Sequence, residues 1–227
     1  MSMAARDTVL CMPELLELIL ARLPMRDLLV TAPLVSKAWQ ATTLTPVLQR
    51  ALFFQPDPSP TEPVRNPLLA EMFPPFFTLE GQNPDRWPGT ASALMSMPWA
   101  KASDAFRRKD ASWRRMLVVQ PTVRVLRITE TSRGLRGIFE RRAVLKLKDQ
   151  FNLNMGLLYD LAVPLISRVP SVFCIHWHNG LACQGKDLTL AIIYAVDYRP
   201  RPQTFDERFH SDARKEVQVK FGAWVPV

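Results

Sequence analysis

The residues best suited to chemistry lie together at Cys174–Cys183, in the run CIHWHNGLAC. Cys174, His176 and His178 alternate, so a strand places all three on one side, and Cys183 can fold back after a turn at Asn179-Gly180. Thiols and imidazoles are the donor types that hold zinc. The spacing, however, is not that of a common zinc module, and a strand followed by an Asn-Gly turn accounts for the same residues. We therefore assign no metal. Nucleophilic catalysis needs a Cys–His or Ser–His pair with an orienting acid, and Cys174 beside His176 supplies only part of that. The chain has no Gly-x-Ser-x-Gly elbow, no Gly-rich phosphate loop ending in Gly-Lys-Ser/Thr, and no dinucleotide fingerprint. The expectation is a non-catalytic protein with no cofactor.

Charge is the second chemical feature. The net formal charge is +8, yet the segment from Lys101 to Lys148 holds 14 Lys/Arg against 4 Asp/Glu, so the rest of the chain is slightly acidic. Arg107, Arg108, Arg114 and Arg115 are the candidates for binding a phosphorylated or acidic segment of a target protein. Direct nucleic-acid binding is the competing reading of the same charge. Against it, Phe106 and Trp113 fall on the expected buried face of a helix and do not interleave with the arginines as stacking platforms.

The elements that must carry these residues can be read from pattern. The chain has 227 residues, 48% apolar and 22% charged, with 20 prolines and only 8 glycines. That composition suits a folded protein with a sizeable core. Its three cysteines, Cys11, Cys174 and Cys183, are too few and too odd for a disulfide framework, which points to a reducing compartment, cytoplasmic or nuclear. No apolar run approaches the roughly 20 residues of a membrane span, and the N-terminal run is broken by Glu14, Glu17 and Arg22, so it reads as an amphipathic helix and not a signal peptide.

Three regions follow. Residues 9–54 read as helical. Residues 55–66, QPDPSPTEPVRN, are Pro-rich and read as an extended linker. Residues 67–227 read as an α+β domain with a small, mainly antiparallel sheet. Within it MFPPFF (Met72–Phe77) is too apolar to stand free and should dock on a domain surface. A helix is expected over about Trp99–Val118, strands at Val123–Thr129, Ser171–His178, Leu188–Tyr198 and Val217–Val225, and an ambiguous stretch at Arg141–Leu161, helical in its later part. No internal repeat is present.

The N-terminal helices show a more specific pattern. Pro13 suits the first helical position and Glu14 the positive end of the helix dipole. Leu16, Ile19, Leu20 and Leu23 form one apolar face, and Leu15 and Leu18 add a second. Pro24 stops this helix, a short one follows near Arg26–Val30, and Pro33 opens a third carrying Val35, Ala38, Trp39 and Thr42 on one face; Pro46 ends that helix or starts a fourth. So few residues cannot enclose this much apolar surface, so one side should meet a partner or the rest of the chain.

The ordered set Met12-Pro13, Glu14, Leu15-Leu16, Ile19-Leu20, Leu23-Pro24, Asp27-Leu28 and Val35 with Trp39 resembles the F-box, with Met12 where leucine is usual. The resemblance covers about 40 residues. The segments Ala111–Pro121 and Met155–Leu161 are similar to pieces of fungal F-box proteins. The resemblance implies a three-helix F-box followed by a target-binding domain. Its partners would be a Skp-type adaptor, through it a cullin ubiquitin-ligase scaffold, and a target protein. It carries adaptor binding onto Pro13, Leu16, Ile19, Leu23, Leu28, Val35 and Trp39, some of which must instead hold the helices together.

Overall fold

A computed structural model describes residues 12–78, 88–97, 100, 108–135, 137–147, 152–166, 170–177, 187–194 and 219–227. The fold is α+β. The N-terminal region divides into five short helices: α1 (Pro13–Leu20), α2 (Met25–Val30), α3 (Ala32–Val35), α4 (Lys37–Thr43) and α5 (Pro46–Ala51). Pro13 and Glu14 open α1 as expected, and Pro24 precedes α2. The expected third helix is two. Ser36 is fully extended (φ −163°, ψ 166°), and its side chain accepts a hydrogen bond from the Trp39 amide at 3.2 Å. A serine that caps a new helix interrupts the old one. Pro46 opens α5.

Leu16, Leu20, Leu28, Ala32, Leu48 and Leu52 close into a small core of their own. After α5, Phe53 takes a left-handed conformation (φ 61°). Its carbonyl then accepts from the Leu117 amide at 2.7 Å, tying the helices to the second unit. Gln120 makes a second tie, donating from Nε2 to the carbonyls of Arg50 (3.0 Å) and Gln55 (2.9 Å). Met25, Leu29 and Phe54 pack against both cores.

The Pro-rich stretch is irregular until Val64–Arg65, which forms β1 and pairs antiparallel with β2 (Val119–Gln120). Asn66 is fully buried. It donates to the Leu117 carbonyl and accepts from the Leu69 amide, both at 3.1 Å, and so caps α6 (Pro67–Met72). The expected linker is therefore anchored over its last three residues.

MFPPFF lies deeper than a docked segment. Its last four residues are α7 (Pro74–Phe77). Phe73 and Phe76 are fully buried, Phe73 against Trp113 (ring centroids 4.9 Å) and Phe76 against Phe173 (4.6 Å).

A short helix α8 (Ala91–Ser96) follows. The long helix expected over Trp99–Val118 is not found in its described part, which contains only α9 (Ser112–Arg115). Met116, Leu117, Val118 and Val119 run through the core as non-helical chain, all four buried. Their apolar character satisfied a helical pattern without forming one.

The main sheet has the order β5-β6-β3-β4-β7, from β3 (Val125–Gly134), β4 (Gly137–Lys146), β5 (Ser171–Trp177), β6 (Asp187–Tyr194) and β7 (Val225–Pro226). Only β3–β6 is parallel, so the sheet is mainly antiparallel. The β3–β4 hairpin turns at Gly137, whose φ of +116° suits only glycine. The ambiguous stretch resolves into the end of β4 and the helix α10 (Met155–Ile166). Leu158, Leu161, Ala162 and Leu165 of α10 are buried in the core that also holds Leu126, Ile128, Ile175, Leu190 and Ile192 of the sheet. Of the expected Val217–Val225 strand, only the β7 residues at its end are regular; residues 217–218, like 195–198 of the Leu188–Tyr198 strand and His178, lie outside the described residues.

Candidate protein-docking surface

The seven residues expected to bind a partner separate into two groups. Leu16 (1% exposed) and Leu28 are buried in the small N-terminal core, and Leu23 and Trp39 are half-buried against it. Leu16 and Leu28 therefore serve to hold the helices together, while Leu23 and Trp39 are only partly covered by the same core. Pro13, Ile19 and Val35 face outward. Leucines spaced one turn apart explain the division. Leu16 and Leu20 lie on the inner face of α1, while Met12, Leu15, Leu18 and Ile19 lie on the outer one.

This outer face is unusually apolar for solvent. Leu18 is 65% exposed, and Val30, Leu34 (82% exposed), Val35, Leu44 and Val47 add to the exposed apolar side chains of the helical unit. Scattered exposed leucines are ordinary, but so many on about 35 residues make this unit the candidate docking surface. Sequence reading saw the second face of α1 through Leu15 and Leu18. It missed Leu34, Leu44 and Val47, which sit at helix ends where periodicity carries little information.

The basic candidates do not form one open cluster. Arg107 lies outside the described residues. Arg108 is exposed. Arg114 forms an ion pair with Asp160 of α10, and its guanidinium carbon lies 5.2 Å from the Trp113 ring centroid. Arg115 is exposed and lies 5.3 Å over the Phe54 ring. Elsewhere in the basic segment Arg127 pairs with Asp187 at 2.9 Å, Arg142 with Glu140, and buried Arg141 with fully buried Glu130, Nε to Oε2 at 2.7 Å. Asp160 and Asp187 come from outside the basic segment, so a surplus counted along the sequence is partly neutralised in space. Arg114 in particular is committed to an internal contact.

Cys174 Sγ lies 3.1 Å from His176 Nε2 on one side of β5, as alternation required. Cys174 is buried. His178 and Cys183 are outside the described residues, and among those described no group of three or more potential ligands gathers. No helix among the described residues is long and apolar enough to cross a membrane. Comparison with protein-family models, curated proteins and solved structures found no match for this chain.

Proposed function

We propose that the chain is an F-box adaptor subunit. It docks a Skp-type adaptor on its N-terminal helices and presents its α+β unit to a target protein. It performs no bond chemistry itself. It raises the concentration of target near a ubiquitin-loaded enzyme on the cullin scaffold.

One observation carries this reading. The N-terminal helices already possess a closed core, yet leave Leu15, Leu18, Ile19, Leu34 and Val35 exposed. Fully burying a large apolar side chain contributes about 1.5–3 kcal/mol gross, so several together offset the ordering and rigid-body costs of association. The competing reading, a basic nucleic-acid-associated protein, is weakened by the carboxylate partners of Arg114, Arg127, Arg141 and Arg142.

Co-elution of the full chain with a purified Skp-type adaptor, at low and high salt, tests the proposal. An apolar interface persists at high salt, whereas binding through counterion release weakens steeply. Absence of co-elution by a folded chain rejects the adaptor role. Deleting residues 1–54 is not a sound control, because it removes the Phe53 carbonyl and Phe54 ring that pack on the second unit.

A further inference from the structure

Arg65 differs from the paired arginines. It projects from β1 toward the end of β5, where its guanidinium carbon lies 4.6 Å from the centroid of the Trp177 ring. Trp177 is a fixed shelf. Its ring stacks on Phe77 (centroids 5.4 Å, planes 26° apart), and its Nε1 donates to the Phe76 carbonyl at 3.2 Å. Arg65 Nη1 reaches the Phe77 carbonyl only at 3.4 Å.

Among the described residues no carboxylate pairs with Arg65, while Arg114, Arg127, Arg141 and Arg142 each have one. Burial also holds its pKa below the ordinary arginine value. A half-buried guanidinium has lost part of its hydration and normally recovers it from an anion. A cation–π contact engages no N–H hydrogen bond and leaves the guanidinium fork its donors. One long hydrogen bond spends little of that fork, which matches a carboxylate or phosphate in bidentate fashion.

We infer that Arg65, shelved on Trp177, is a binding site for an oxyanion group, a carboxylate or a phosphate monoester, presented by a ligand at the end of β5. The site stands apart from the helical docking surface and does not depend on the adaptor reading. It moves anion recognition away from Arg114, which is occupied, to an arginine that charge counting along the chain passed over.

The test is a titration of the full chain, followed by NMR of the arginine Nε–Hε and tryptophan indole signals. Arg65→Lys and Trp177→Phe assign the two signals. The probes are phenyl phosphate, inorganic phosphate and acetate, each against sodium chloride at matched ionic strength. The site predicts saturable shifts of both signals with at least one oxyanion, and the tighter arm names the preferred group. Arg65→Gln should weaken binding on the order of tenfold or more, the loss of a charge-assisted hydrogen-bonded contact. Arg65→Lys keeps the charge but not the fork and should also weaken it, whereas Arg124→Gln, at an exposed arginine elsewhere, should leave it unchanged. Far-UV circular dichroism checks that each variant is folded. Shifts reproduced by chloride, or no shift with any probe, would overturn the inference and leave the stack as a purely structural contact.

Discussion

Truncating Leu16 and truncating Leu18 should differ severalfold in cost, although the two residues are identical in type and lie on the same helix. Leu16 is 1% exposed and touches the small core of Leu20, Leu28, Leu48 and Leu52. Leu16→Ala loses the transfer free energy of the removed atoms and leaves a cavity, about 2–5 kcal/mol for such sites. This core is small and lies beside solvent, so its neighbours can collapse inward, and we expect the lower part of that range, about 2–3 kcal/mol. Leu18 is 65% exposed and has therefore surrendered about a third of its surface. A third of the 1.5–3 kcal/mol for full burial is about 0.5–1 kcal/mol, and alanine's better helix propensity returns a few tenths. Urea unfolding followed by far-UV circular dichroism measures both. Typical domains have about 5–15 kcal/mol in all, so the Leu16 variant should shift the midpoint visibly and the Leu18 variant barely. Equal losses, or a greater loss for Leu18→Ala, would refute the assignment of inner and outer faces.

Other substitutions probe the second unit. Gly156→Ala places a Cβ 2.8 Å from the Arg114 carbonyl oxygen, so α10 must move off α9, and a melting experiment should show a net loss of about 1–3 kcal/mol. Gly89→Ala puts a Cβ 2.2 Å from the Phe173 ring, which should break the reciprocal Gly89–Phe173 hydrogen bonds and raise amide exchange at Phe173. Arg114→Gln removes the ion pair to Asp160 and should lower thermal stability, whereas exposed Arg124→Gln should stay within about 0.5 kcal/mol of the parent.

Alternation made the strands β3, β5 and β6 legible, and helical spacing made α1 and α10 legible. No part of β4 was. Its inner face reads Phe139, Arg141, Ala143 and Leu145, and its outer face includes Ile138 and Val144. A buried arginine facing inward and apolar residues facing outward cancel a period-two signal, and only Glu130 on the neighbouring strand makes the inward charge tolerable. Within its described part, the expected helix over Trp99–Val118 failed in the opposite sense, since the continuously buried run Met116–Val119 satisfies any period. At the proposed docking surface the residue types were legible but their burial was not. Which face of α1 points inward is decided by α2 and α5, through Leu28, Leu48 and Leu52. The Arg65–Trp177 contact joins residues far apart in the chain, so no local pattern signals it.

The most direct test of the docking claim is calorimetric titration of a Skp-type adaptor into the full chain and into a Leu18→Ser/Ile19→Ser variant. Unfolding of both proteins is measured alongside. The account predicts binding by the parent and at least about tenfold weaker binding by a variant of nearly parental stability, since two exposed anchors together are worth more than 1.4 kcal/mol. Undiminished binding by that variant would contradict it and remove the outer face of α1 from the interface.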